Sequence, residues 1–228
     1  MLVRSGPLHH HPGRRRGAAP ARRARLHRQL RRAAANPGRG RRPPRYQRPD
    51  RDHRGTETRV RRPASGRKDR DKFISGKTRQ NTVKAMVLTA GDGRVLFCSP
   101  AKPGSCADIT HARQLGLVEL LADGPAVEIL ADACYQGLGA QTGERVVTPP
   151  HRKFKKNAPD WYEETHEPQR MAHSSRRIHV EHGIAHLKNW RALARHLGRR
   201  EHMSDIVQAV ASLLSHQQTT YLMSAQQS

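Results

Sequence analysis

The chain has 228 residues, with 43 Lys or Arg against 19 Asp or Glu and a net charge of +24, for a pI near 11.4. Charge on that scale points to a polyanion, nucleic acid above all, as the partner. No run approaches the ~18 apolar residues that span a bilayer, and the arginine-rich start lacks the apolar stretch of a secretory signal, so no membrane partner is expected. Three cysteines, Cys98, Cys106 and Cys134, lack Cys-x-x-Cys spacing. Their odd number excludes a fully paired framework within one chain and fits a reducing compartment.

The first fifty residues carry fifteen arginines and one acid, Asp50, among Pro, Gly, Ala and His. Apolar residues are too few for a core, so residues 1–54 are expected to be disordered, with Ala21 to Ala35 able to become helical on DNA. One reading is a basic arm that neutralises phosphates. The other is a GC-rich reading frame translated out of register, which yields the same composition.

Gly55 to Pro63 alternates as a strand that ends at the proline. Arg67 to Lys72 is a charged loop. Gly76-Lys77-Thr78 has the ending of a phosphate-binding loop, but Asp71 stands where that motif needs glycine, and the motif is rejected. Thr82 to Thr89 and Arg94 to Ser99 are β-rich runs around Gly91-Asp92-Gly93, a hairpin signal. Met86, Leu88, Val95 and Phe97 are candidate core residues, and Pro100 to Ser105 reads as a loop.

A helix is expected from Asp108, a good N-cap, with Ile109, Ala112, Leu115, Leu117 and Leu120 facing inward. Gly124-Pro125 stops it. Val127 to Ala131 is then a short apolar run ending on Asp132, which reads as a buried strand delivering an acid beside the turn at Gly137. Gly137 to Trp161 is loop-like, with a short strand at Val146 to Pro150. His151 to Lys156 is a basic cluster around Phe154, read as a DNA-backbone contact through Arg152, Lys153, Lys155 and Lys156 or as a solvated loop. Trp161 to His173 is expected to be helical.

From Ser174 to Arg195 a helix places Arg177, Glu181 and Lys188 at i, i+4 and i+11, on one face. A solvated ion-paired face has the same spacing. Ile178, Ile184 and Leu187 fall on other sides and dock on a core. Arg191, Arg195, Arg199 and Arg200 line the exit, and Trp190 is read as core rather than as a base-stacking residue. His182 and His186 have a spacing that can hold zinc, but no acid or Cys pair accompanies them. Asp205 to Ser215 carries Ile206, Ala209, Val210, Leu213 and Leu214 on one stripe of a packing helix, and the Gln-rich residues 217–228 are expected to fray.

Two of these stretches carry a resemblance. Asp132-Ala-Cys-Tyr135-Gln-Gly137 resembles the strand-end Asp-x-Gly-Tyr box of bacterial insertion-sequence transposases of the DDE class. Arg177-x3-Glu181-x6-Lys188 is similar to their C-terminal signature, with Ser174 at its Tyr position. The resemblance runs from about Gly55 to His216. It implies an α/β, RNase-H-like mixed sheet flanked by helices over residues 55–216, matching the order strand, hairpin, helix, strand. It further implies cutting and joining of DNA ends with two Mg²⁺ or Mn²⁺ ions held by three carboxylates.

On that resemblance Asp132 would bridge both metals and Glu181 would bind one. Arg177 and Lys188 would complete the catalytic set, holding Glu181 and touching phosphates. Lys77, Arg191 and Arg195 would lie near DNA. The family's first carboxylate falls at Arg54, and a guanidinium cannot bind a cation. Asp52 lies ~6.6 Å back along an extended strand and Glu57 points to the other face. Asp108, preceded by Ala107 where the family often has His, is read as a cap rather than a ligand. The chain is therefore expected to bind transposon ends, as a homodimer on DNA in the bacterial cytoplasm, without catalysing their cleavage. The alternative of another class is a non-enzymatic, basic nucleic-acid-binding protein.

Overall fold

Short strands whose neighbouring side chains face opposite ways need a helical layer on each side. The structure, a computed structural model, describes residues 1–5, 57–66, 68–124, 127–154, 157–194, 196 and 200–226, with 24, 27, 28 and 31. Its strands are β1 (Leu2–Ser5), β2 (Glu57–Arg59), β3 (Thr82–Lys84), β4 (Val87–Thr89), β5 (Val95–Cys98), β6 (Lys102–Pro103), β7 (Val127–Leu130) and β8 (Val146–Val147). The helices are α1 (Asp108–Gln114), α2 (Leu117–Asp123), α3 (Leu138–Gln141), α4 (Asp160–Arg176), α5 (Ile178–Lys188), α6 (Arg191–Ala194) and α7 (Met203–Gln226). Strands β5-β4-β1-β7-β8 form one mixed sheet and β2-β3-β6 a smaller one.

The alternation is visible in the core. Val87 and Leu88 are adjacent on β4 yet join different apolar clusters, as do Ile129 and Leu130 on β7. One cluster takes Leu117, Leu120, Leu121 and Leu138 from α2 and α3. The other takes Val180, Ile184 and Leu187 from α5, Leu193 from α6, and Met203, Val207, Val210 and Leu214 from α7. Leu88, Ile129 and Leu130 are fully buried, each contributing about 1.5–3 kcal/mol of transfer free energy.

Several expectations are corrected. The first five residues are not disordered. Strand β1 sits between β4 and β7, antiparallel to β7 over four residue pairs and parallel to β4. Met1 and Leu2 are buried, and the Thr89 N–H donates to the Met1 carbonyl at 2.9 Å. Apolar side chains and unpaired backbone groups on both flanking strands outweigh the basic surroundings in sequence. Most of the remainder of 1–54, with the Ala21 to Ala35 helix, lies outside the described residues.

Among the described residues of the expected first strand, Glu57–Arg59 forms the strand, and it joins the small sheet. The run from Thr82 breaks at Ala85-Met86 into strands of different sheets, and Lys102–Pro103 pairs with β3 instead of looping free. Gly116, at φ 71, splits the helix begun at Asp108. The helix expected over 174–195 is three pieces: the end of α4, then α5, then α6. Ile178 is half exposed while Val180 is fully buried in its stead, and Leu213 faces solvent. Helix α7 continues to Gln226 rather than fraying at 217, and Gln218 Oε1 accepts from the Val95 N–H at 3.0 Å.

One close crossing fixes α5 on the sheet. A Cβ at Gly183 would lie 2.6 Å from the Gly93 carbonyl oxygen and 2.9 Å from Thr89 Cγ2. Gly93, in the β4–β5 turn at φ +86, would place a Cβ 2.9 Å from the His179 carbonyl oxygen. Two glycines thus let helix and turn touch backbone to backbone. Gly183→Ala should cost about 1–3 kcal/mol through forced separation, read as a lower urea midpoint with an unchanged slope.

Buried His111 lies 3.2 Å from Ser99 Oγ through Nε2. Burial pulls its pKa down to about 4, helped by Lys102 and opposed by Asp108. The unfolded chain therefore binds the extra proton first. Stability should be intact above about pH 6.5 and fall as pH drops toward 4, by about 3 kcal/mol at most. Urea midpoints measured across that range should show a slope that His111→Asn reduces.

Candidate active site and its charge network

Strand β7 ends in the core, so the first polar residue after it emerges at the sheet's edge. That residue is Asp132. Its Oδ1 accepts the Ala133 N–H at 2.7 Å, opening the single 3₁₀ turn Ala133–Tyr135. Glu181 stands in the first turn of α5. Between them lies Arg177, which joins α4 to α5 at φ −92 and ψ −1. Its Nη1 is 3.9 Å from Asp132 Oδ1 and its Nη2 is 3.7 Å from Glu181 Oε1. These are ion pairs too long to be hydrogen bonds. Arg177 is only 14% exposed, whereas the two acids are about half exposed, so a shielded cation holds two open carboxylates.

Lys188 closes α5 beside a pocket lined by Thr58, Val83, Ala85, Val87, Ile184 and Leu187. Burial there lowers its pKa to about 8, opposed by Glu57 and Glu181 and assisted by Lys77. Glu57 on β2 is 3.4 Å from Lys84 Nζ, and Asp108 at the start of α1 is 3.6 Å from the same ammonium. The Ser75 hydroxyl donates to Glu57 Oε1 at 2.9 Å and accepts the Lys77 and Thr78 N–H groups. This anchors the turn that carries Lys77. The pKa of the Cys134 thiol is raised by burial first and then by Asp108 and Asp132.

Acids and cations therefore alternate from the end of β7 through α5 to the smaller sheet and α1: Asp132, Arg177, Glu181, Lys188, Glu57, Lys84, Asp108. The sequence brought Asp132, Glu181, Arg177 and Lys188 to notice, and the structure gathers them. It also corrects the reading of Asp108. The N-cap position is Ala107, without a side-chain cap, because the Asp108 carboxylate turns to Lys84. Lys84 was missed altogether. Its signal was a lysine within Thr82-Val83-Lys84-Ala85-Met86, where a charge amid core residues requires an acid partner.

The other candidates are dispersed. Arg152 pairs with Glu163 and donates to the Phe154 carbonyl at 2.8 Å, while Lys153 and Arg191 are exposed. Asp52, Arg54, Lys155, Lys156, Arg195 and Arg199 lie outside the described residues. Trp190 packs against the core cluster of α5–α7. His182 and His186 are exposed on α5.

A two-ion centre needs several oxygen donors converging from separate elements. Here two carboxylates converge on Arg177, and the next two are tied to Lys84. Among the described residues no group of three or more His, Cys, Asp or Glu side chains is placed to hold a metal ion. The donor set as it stands does not fit such a centre.

The family model for a DDE superfamily endonuclease matches residues 54–215. The chain belongs to this family. No curated protein and no solved structure matches the chain. In this DDE endonuclease domain, both strand-end acid and helix acid fall within the matched region, as do Arg177, Lys188 and the Lys84 network.

Lys84 is 15% exposed between two acids. Lys84→Met should cost roughly 1–3 kcal/mol by leaving those carboxylates unpaired. Adding Asp108→Asn to it should cost less than the sum of the single changes in urea unfolding.

Proposed function

We propose that this chain is the catalytic domain of a bacterial insertion-sequence transposase that binds DNA but has lost the means to cut it. The observation that carries the reading is the meeting of Asp132 and Glu181 on either side of Arg177, with Lys188 and Lys77 beside them. An acid at a strand end and an acid in the first turn of a basic helix suit metal-dependent phosphodiester chemistry in an RNase-H-like sheet. The sheet's mixed order with helices on both faces agrees with that architecture.

Catalysis fails for a chemical reason. Asp132 and Glu181 would be the ligands for Mg²⁺ or Mn²⁺, but Arg54 occupies the position of the third carboxylate, and two acids already paired with a guanidinium make a weak cage. Arg177, Lys188 and Lys77 remain suited to phosphates. Arg152, Lys153, Lys155, Lys156, Arg191 and Arg195 are the further basic residues we assign to DNA from the sequence. The natural setting is then the bacterial nucleoid, on transposon ends, with a second copy on the paired end.

DNA carrying the element's terminal repeats should be bound, and should remain uncut with Mg²⁺ or Mn²⁺. Arg54→Asp should restore cutting, and Glu181→Ala in that background should abolish it again. Robust cutting by the unaltered chain, lost on Glu181→Ala, would overturn the proposed inactivity. A purely non-enzymatic nucleic-acid binder would show no response to Mn²⁺ at Asp132 and Glu181 in either background.

A further inference from the structure

Helix α4 ends at the acids and begins, sixteen residues earlier, beside the loop His151 to Phe154. At that far end the second helical residue, Trp161, is 66% exposed. Its neighbour Tyr162 is buried, stacked on His166 at 5.1 Å and met edge-on by Phe154 at 4.9 Å. The Tyr162 hydroxyl accepts the Lys153 N–H at 2.8 Å and donates to the His151 carbonyl at 3.3 Å. Phe154 is therefore spent on packing. Trp161 is the aromatic turned outward, perpendicular to Tyr162 with ring centroids 6.0 Å apart.

The surroundings select the ligand. His151, Arg152 and Lys153 are exposed on the adjoining loop; with Arg152 paired to Glu163, Lys153 supplies the positive charge that attracts a polyanion. Asp160 and Glu164 flank Trp161 on the helix and Glu163 engages Arg152. These acids disfavour a phosphate directly over the indole and leave its apolar face to an uncharged, planar group. We propose that Trp161 is a stacking platform for an unpaired nucleobase, with His151 and Lys153 taking the adjoining phosphates. This rests on the reading of the chain as a DNA binder and adds a second contact to it. Trp161 lies about 24 Å along α4 from Arg177, the rise of roughly seven nucleotides of B-form DNA.

The test compares a blunt duplex, the same duplex with a single-stranded overhang, and one whose overhang is abasic, each titrated against the full chain. Trp161→Ala should weaken overhang binding roughly 5- to 150-fold and leave blunt-duplex binding unchanged, with Trp161→Phe retaining most affinity. The abasic overhang should bind the unaltered chain as weakly as the intact overhang binds Trp161→Ala. Trp161 and Trp190 are the two tryptophans, so the emission lost in Trp161→Ala isolates the exposed indole. That component should be quenched by the intact overhang alone. Equal losses on blunt and overhang DNA, or no loss on either, would overturn the platform. If the unaltered chain bound none of the three, the DNA-binding reading would fall first.

Discussion

A single guanidinium organises the candidate site. Arg177 stands where α4 gives way to α5 and reaches the acid at the end of β7 and the acid one turn into α5. Three separate elements are thereby registered on one charge. The α5 side of that registry depends in turn on Gly93 and Gly183, because a helix lifted off the β4–β5 turn would carry Glu181 away with it. Since the acids are half exposed and the guanidinium is shielded, the pairing positions side chains more than it stabilises the fold.

Much of this was legible in the sequence because it depends on local signals. An apolar run ending in Asp132 has only one natural exit from a sheet. The Gly91-Asp92-Gly93 turn between β-rich runs specifies its own hairpin, and the apolar run from Ile206 to Leu214 gives a packing helix, although that helix buries Val207 and Ala211 and exposes Ala209 and Leu213. The misses have a common cause in tertiary contacts. Nothing near Asp108 in sequence reveals Lys84, so the residue read as a cap when its carboxylate is committed elsewhere. Phe154 looked available for DNA until Tyr162 claimed it. The helix through Arg177 looked continuous because every residue across the break tolerates helical geometry. At Leu2 composition misled outright: five residues in an arginine-rich, core-poor segment fill the middle of the sheet.

The charge network sets a cation beside each of the four acids named at this site. Asp132 and Glu181 meet at Arg177, and Glu57 and Asp108 meet at Lys84, two pairs that would each repel if left uncompensated. Arg177, Lys84 and Lys188 neutralise that repulsion with charges the chain itself supplies.

Placing Leu2–Ser5 at the centre of the sheet also bears on the order of events during synthesis. These residues leave the ribosome long before Val127–Leu130, their principal hydrogen-bonding partners, exist. Until then β1 has an open edge and Leu2 has no complete interior to enter. Loop closure across so much chain is slow, so the nascent polypeptide passes through a prolonged interval with an unfinished sheet, when chaperone capture or aggregation competes with folding.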